Sequence, residues 1–235
     1  LAAPRQKKYF NGPRIIFREI LGKTLVSTLI REEFIIDRSL YIARIDNEEE
    51  SDYLIEYILG VLNSKLMSFY FRYSNNEFDN LFPKIRVAEF KKLPIKIVGS
   101  KHQLLTKTKV NNLLESNAKA AQLYFKFKDY VVQKFSLTKI SRKLENWYEL
   151  DFSNFIKELH KAINKENRAR RKNKEPEIDK PTKKDEFEWM ELFEENKNKA
   201  QVLQAQIAST EKEIDQMVYE LYGLTDEEIE IVENS

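Results

Sequence analysis

The chain has 235 residues, with 40 Lys+Arg against 38 Asp+Glu and 42% apolar side chains, so it can bury one large core or two small ones. It has no cysteine and only two histidines, His102 and His160, which excludes disulfide staples, a thiolate metal site, a cysteine nucleophile and an imidazole-rich metal centre. Five glycines argue against phosphate-cradling loops and against a fold built from tight hairpins.

The chain opens on Leu1 rather than Met, and a piece of something longer is expected. The first ten residues are basic and polar, without the apolar run of a signal peptide. The turn signal Asn11-Gly12-Pro13 launches a β-rich stretch, Arg14-Ile15-Ile16-Phe17-Arg18-Glu19-Ile20. Phe34-Ile35-Ile36 and Ser39 to Ile45 form a second β-rich region. The acidic run from Asp46 to Asp52 suits a loop and the start of a helix, where carboxylates meet the positive end of the helix dipole. From 53 to about 73, Leu54, Ile58, Val61, Leu62, Leu66, Phe69 and Tyr70 recur at helical spacing, which predicts a buried helix. Its most apolar stretch is too short to span a bilayer. A polar loop from Ser74 to Asn80 follows, then Leu81-Phe82-Pro83-Lys84-Ile85-Arg86 and a run ending at Gly99-Ser100.

Beyond residue 100 the pattern turns to long helices. Val110, Leu113, Asn117, Ala120, Tyr124, Phe127 and Val131 follow alternating steps of three and four, and so do Ala200, Leu203, Ile207, Thr210, Ile214, Met217, Leu221 and Leu224. Heptad helices over about 104–135 and 186–222 therefore predict an antiparallel, coiled-coil-like pair, with polar Asn117 and Thr210 fixing its register. The insertion 136–185 has an apolar face of its own around Trp147, Phe152 and Phe155, and then a flexible basic loop is expected at about 164–185. The fold class is thus α+β: a small mixed α/β domain over 1–98, followed by a mainly helical spacer over 99–235.

Charge is segregated along this order. Residues 1–100 carry 16 basic and 13 acidic side chains, 101–185 carry 21 and 11, and 186–235 carry 3 and 14. Pairing of the two heptad helices would lay the acidic tail along the basic middle and leave the first domain as the surface facing a polyanion. Arg14, Arg18, Lys23, Arg31, Arg38 and Arg44 punctuate its β-rich part, and Arg72, Tyr73, Asn75, Asn76, Lys84 and Arg86 surround the polar loop. Arginine forks read guanine, asparagine reads adenine, and either lysine or arginine holds phosphate, so this mixture suits groove recognition; a solvated surface is the plain alternative. The cluster Arg168 to Lys174 could follow phosphates or belong to a solvated linker. Asp79 with Glu89-Phe90-Lys91 imitates the Asp…Glu-x-Lys set of metal-dependent nucleases, but Glu-x-Lys recurs by chance in so charged a chain. His160 reads as a helix-surface residue.

Three blocks resemble one family. A helix ending in Leu62-Asn63-Ser64-Lys65-Leu66, then Phe82-Pro83-Lys84-Ile85-Arg86, then Leu93-Pro94-Ile95 ahead of a long helix is similar to the TaqI-like C-terminal specificity domain, found in adenine-specific DNA methyltransferases and single-chain (type IIG) restriction-modification enzymes. Pro13 to Glu19 resembles that domain's first strand, and Trp147 to Phe152, Glu188-Trp189 and Glu213 to Thr225 are similar to the ends of such enzymes. The resemblance implies a piece that binds double-stranded DNA through Arg14, Arg18, Arg72, Asn75, Asn76, Lys84 and Arg86 and performs no chemistry itself. It implies a bacterial, cytoplasmic parent in which an upstream domain binds S-adenosylmethionine, extrudes the target adenine and methylates N6, with Mg²⁺ needed if the parent also cleaves. No catalytic, cofactor or metal residue is expected in the chain itself. Half of a type I specificity subunit and a coiled-coil interaction module are the alternatives.

Overall fold

A computed structural model describes residues 9–20, 24–37, 39–45, 47, 51–74 and 85–235. The fold is α+β, with 65% of the described residues helical and one small antiparallel sheet among them. The chain forms two compact units, one of residues 1–114 with 209–235 and the other of residues 115–208. Two long helices, α4 (Ser100–Lys134) and α7 (Lys183–Tyr222), each run from one unit into the other. Among the described residues, no helix is long and apolar enough to cross a membrane.

In the first unit the sheet has the order β2-β1-β3, with β1 (Arg14–Arg18) between β2 (Ser27–Ile30) and β3 (Leu40–Ala43). Ile15 faces Leu29 and Ala43 across the two ladders, and Phe17 faces Ser27 and Tyr41. Gly12 supplies the positive φ, +75°, that turns the chain into β1. As a central strand β1 is buried on both faces, which is why it reads as a continuous apolar run. Its Ile15 and Phe17 meet α1 (Ile55–Leu62), whose Ile55, Tyr57, Leu59, Val61 and Leu62 are all buried. The expected strand at 34–36 is replaced by β2, which carries a single fully buried side chain, Leu29. Phe34 and Ile35 instead sit in an exposed irregular segment.

The expected single helix over 53–73 is two, α1 and α2 (Lys65–Ser74), broken at Asn63-Ser64. Both break residues are occupied. The Asn63 amide accepts from Ser27 N at 2.9 Å and donates to Ser27 O at 2.9 Å, completing the edge of β2 in the manner of another strand. Ser64 Oγ accepts from Met67 N at 3.2 Å and caps α2. A short helix, α3 (Val87–Phe90), stacks Phe90 on Phe17 with ring centroids 4.0 Å apart. The core closes with Val110 of α4 and with Ile214 and Val218 of α7, and α8 (Asp226–Glu233) lies against α2. At Gly60 a Cβ would stand 2.9 Å from Thr106 Cγ2 and 3.0 Å from Val110 Cγ2, so glycine sets the approach of α1 to α4.

The second unit packs around aromatic rings. Trp147 is fully buried in a 3₁₀ turn (Trp147–Glu149), 4.1 Å from the Phe127 ring, and its indole N–H donates to Tyr124 O at 3.2 Å. Within this unit Phe127 meets Phe193, and Phe135 meets Trp189, so α4 and α7 run antiparallel there. Asn117, expected on the seam, is exposed, and its neighbour Ser116 is the buried residue. Ahead of the 3₁₀ turn lies α5 (Arg142–Glu145), capped by Ser141. The region expected as a flexible basic loop, about 164–185, is ordered and largely helical. There α6 (Phe152–Asn173) continues to a left-handed cap at Lys174, and α7 begins at Lys183. The connection is held by Asn167, which accepts from Ile178 N at 2.8 Å and donates to Ile178 O at 2.9 Å.

Candidate nucleic-acid interface

The arginines of β1 have opposite fates, set by position along the strand. Side chains alternate across a sheet, so Arg14, Ile16 and Arg18 share the face turned away from α1. At one end of that face the segment after β2 folds back, and Arg14 binds it. Its guanidinium donates to Gly12 O at 2.8 Å, Glu32 O at 2.9 Å and Phe34 O at 3.1 Å, and the residue is fully buried. This corrects its expected place among DNA contacts, because a guanidinium bonded to three backbone carbonyls inside the fold presents no fork to a groove. At the other end of β1, Arg18 is exposed.

Beside Arg18 the described chain resumes at Ile85. Ile85 N donates to Glu19 O at 2.8 Å, which fixes buried Ile85 on the end of β1 and places exposed Arg86 at the N-cap of α3. Arg18 and Arg86 thus each lie one residue from this backbone bond. Arg72 is half-buried in the last turn of α2, next to buried Phe71, and exposed Tyr73 follows it. Arg72 and Arg86 flank residues 75–84 in sequence. Asn75, Asn76 and Lys84 lie outside the described residues, as do Lys23, Arg38 and Asp79. Arg31 is turned to a structural partner: it and Lys107 pair with buried Glu56 at 2.7 and 3.4 Å. Glu89, the other carboxylate of the nuclease-like pattern, lies in α3, and no group of three His, Asp or Glu among the described residues could hold a metal ion.

The blocks that carried the resemblance prove to be the frame of this surface. Three consecutive carbonyls each receive a tyrosine hydroxyl: Pro94 O from Tyr222, Ile95 O from Tyr53 at 3.1 Å and Lys96 O from Tyr57 at 2.7 Å. Burial pushes the Tyr57 and Tyr222 hydroxyls up from their ordinary range, which keeps them protonated as donors. Gln103 of α4 is buried beside them, accepting from Leu54 N at 2.7 Å and donating to Asp52 O at 2.7 Å and Val98 O at 3.0 Å. Asp215 of α7 reaches back to accept from Lys65 N at 2.8 Å, capping α2 from 150 residues away. Burial pushes this carboxyl up to about 6, against the opposing pull of the Lys65 amide. Lys65 in turn pairs with Glu233, which also accepts from Tyr219 at 2.7 Å. Periodicity gave no sign of the roles of Gln103, Asp215 or Tyr222; only the recurrence of family-like blocks at both ends of the chain pointed that way.

The tail also redistributes charge. Residues 209–235 hold one basic and nine acidic side chains, and they fold into the unit that carries the sheet. Some of that acid does meet α4, through Lys109–Glu213, as expected; some meets α2, through Lys65–Glu233. The unit with the sheet therefore has 20 basic and 22 acidic residues, and the other has 20 and 16. Binding of a polyanion by the first unit has to rest on local placement of arginines and not on net charge.

Comparison with known proteins places this geometry. The family profile described as the TaqI-like C-terminal specificity domain matches residues 1–95, and one described as a domain of unknown function (DUF8810) matches residues 100–218. No curated protein and no solved structure matches the chain.

Proposed function

The chain belongs to the TaqI-like C-terminal specificity family through residues 1–95 and to the DUF8810 family through residues 100–218, and from that premise we propose that it directs an adenine-N6 methyltransferase to its site on double-stranded DNA. The first 95 residues are a DNA target-recognition domain of the restriction-modification type. The finer reading is a single-chain (type IIG) enzyme of the bacterial cytoplasm. Its upstream domain holds S-adenosylmethionine, and Mg²⁺ if the enzyme cleaves; the present chain grips the duplex while the adenine is extruded.

The observation that supports this reading best is the pair of exposed arginines, Arg18 and Arg86, flanking the Ile85–Glu19 backbone bond within the matched region. Arg72 with Asn75, Asn76 and Lys84 completes the proposed set, and Arg14 serves as a structural clamp at the other end of β1. Selection of bound duplexes from a random library tests the reading: the chain should enrich one short sequence. Arg18→Ala with Arg86→Ala should weaken binding and reduce the salt slope by about 0.9 for each phosphate no longer neutralised, or flatten the sequence preference if the pair reads bases. Selection that enriches nothing would overturn the proposal.

A further inference from the structure

On α6 five basic residues share one face. Lys157, Lys161, Lys165, Arg168 and Lys172 are all exposed. At 3.6 residues per turn they fall within an arc of about 80° and extend over about 22 Å of helix. The two glutamates of α6 lie outside this arc. Glu158 is buried and accepts from Ser141 Oγ at 3.1 Å, and Glu166 is buried and accepts from Thr138 N at 3.1 Å and Thr138 Oγ1 at 2.8 Å. Each therefore has a structural task on the packed side, and the outward stripe holds no acid. Lys161 reaches around to Glu158 at 2.7 Å, but no side-chain partner engages Lys157, Lys165, Arg168 or Lys172 among the described residues.

The start of the stripe opens on a cleft of about 590 Å³ between α6 and the first turn of α7. Lys157, Lys161, His160 and Asn164 line one wall and Lys183 the other, where Glu186 holds Lys183 at 2.7 Å. Nearby Glu177 is likewise taken up, by Arg171 at 3.2 Å. Four unpaired cations held in line on a rigid helix of more than four turns are an unusual arrangement. On an ordinary solvated helix face, lysines alternate with i,i+4 glutamates, as Lys119 with Glu115 and Lys199 with Glu195 do elsewhere in this unit.

We propose that this face of α6 is a second DNA contact, a sequence-independent strip that binds the phosphate backbone of a duplex. The inference rests on the DNA-binding reading of the chain and adds to it a separate surface in the other compact unit. A duplex presents one phosphate charge per 1.7 Å of axis, about 13 over the length of the stripe, so four cations can each find a partner without reading a base.

The test uses the full chain carrying Lys157→Gln, Lys165→Gln, Arg168→Gln and Lys172→Gln together, with Lys161 kept because it pairs with Glu158. Affinity for a 30-base-pair duplex of random sequence, and for whichever sequence the wild type selects, is measured from 50 to 200 mM salt. The expected result is a loss of affinity by the same factor for both duplexes and a salt slope smaller by about 3 to 4, with the preference between the duplexes intact. An unchanged thermal melt checks that the helix still folds, as these side chains point into solvent. A slope change below 1 would overturn the proposal, and so would a loss confined to the selected sequence. Failure here leaves selection by Arg18 and Arg86 standing, whereas wild-type chain that binds neither duplex overturns both readings.

Discussion

Replacing Asp215 by asparagine should stabilise the unit that contains the sheet at neutral pH and do nothing at acid pH. Asp215 is 7% exposed, and its folded pKa of about 6 lies above the ordinary value of 3.8. Between those two values the native state holds more protons than the unfolded chain, so this group makes the fold less stable as pH rises from about 4 to about 6. The displacement is about two pK units at 1.36 kcal/mol each, which sets an upper limit of about 3 kcal/mol for the cost of the buried charge at pH 7.5. Asparagine keeps an oxygen to accept from Lys65 N and loses the attraction to the Lys65 amine, so the net gain should be about 1–2 kcal/mol. Both tryptophans, Trp147 and Trp189, lie in the other unit, so their fluorescence would miss the effect. Amide hydrogen exchange of residues 55–74, read as opening free energies at pH 7.5, 6.0 and 4.5, would report it. Asp215→Asn should protect that segment most at pH 7.5 and by only about a third as much at 4.5, with the gap closing fully below about pH 3.8. A variant less protected at pH 7.5, or a gap that does not change with pH, would show that the carboxylate is better solvated or better paired than its surroundings indicate.

Two further predictions address the frame. Gly60→Ala should destabilise by about 1–2 kcal/mol in chemical denaturation, because the clash with Thr106 and Val110 outweighs the roughly 1 kcal/mol gained in helix propensity; a stabilised variant would mean that α4 yields. Arg14→Met should lower stability by about 3 kcal/mol while leaving the salt slope of DNA binding unchanged, and a reduced slope would return Arg14 to the interface.

How far the sequence disclosed this architecture depended on whether an element used its apolar side chains to declare itself. The helices α1, α4 and α7 were legible because their cores recur at helical spacing, and β1 because a central strand is apolar on both faces. The later half of α6 was not, since beyond Ile163 it buries Glu166 and Asn167 in place of hydrophobes and is helical through Ala, Lys, Arg and Glu propensity. The strand β2 escaped notice because an edge strand of four residues needs only one buried side chain, Leu29. Arg14 misled for the opposite reason. Arginines are seldom fully buried, and only the return of the segment after β2 supplies the carbonyls that make it possible. At the candidate interface, residue type was legible from the sequence, but the exposure of Arg18 and Arg86 depends on where the chain returns to β1, a long-range fact that no local pattern encodes.

The bond from Tyr222 to Pro94 has a consequence in time. Its donor follows its acceptor by 128 residues, and Asp215 follows the amide it caps by 150. On a ribosome adding 5–20 residues per second, the first 95 residues would emerge roughly 6 to 25 s before the side chains that complete their core. During that interval α1, apolar on nearly every face, has neither Ile214 nor Val218 to cover it. A nascent chain stalled near residue 208 should therefore be a chaperone client and deaf to DNA sequence, and the ability to choose a site should switch on only as the last helices leave the exit tunnel.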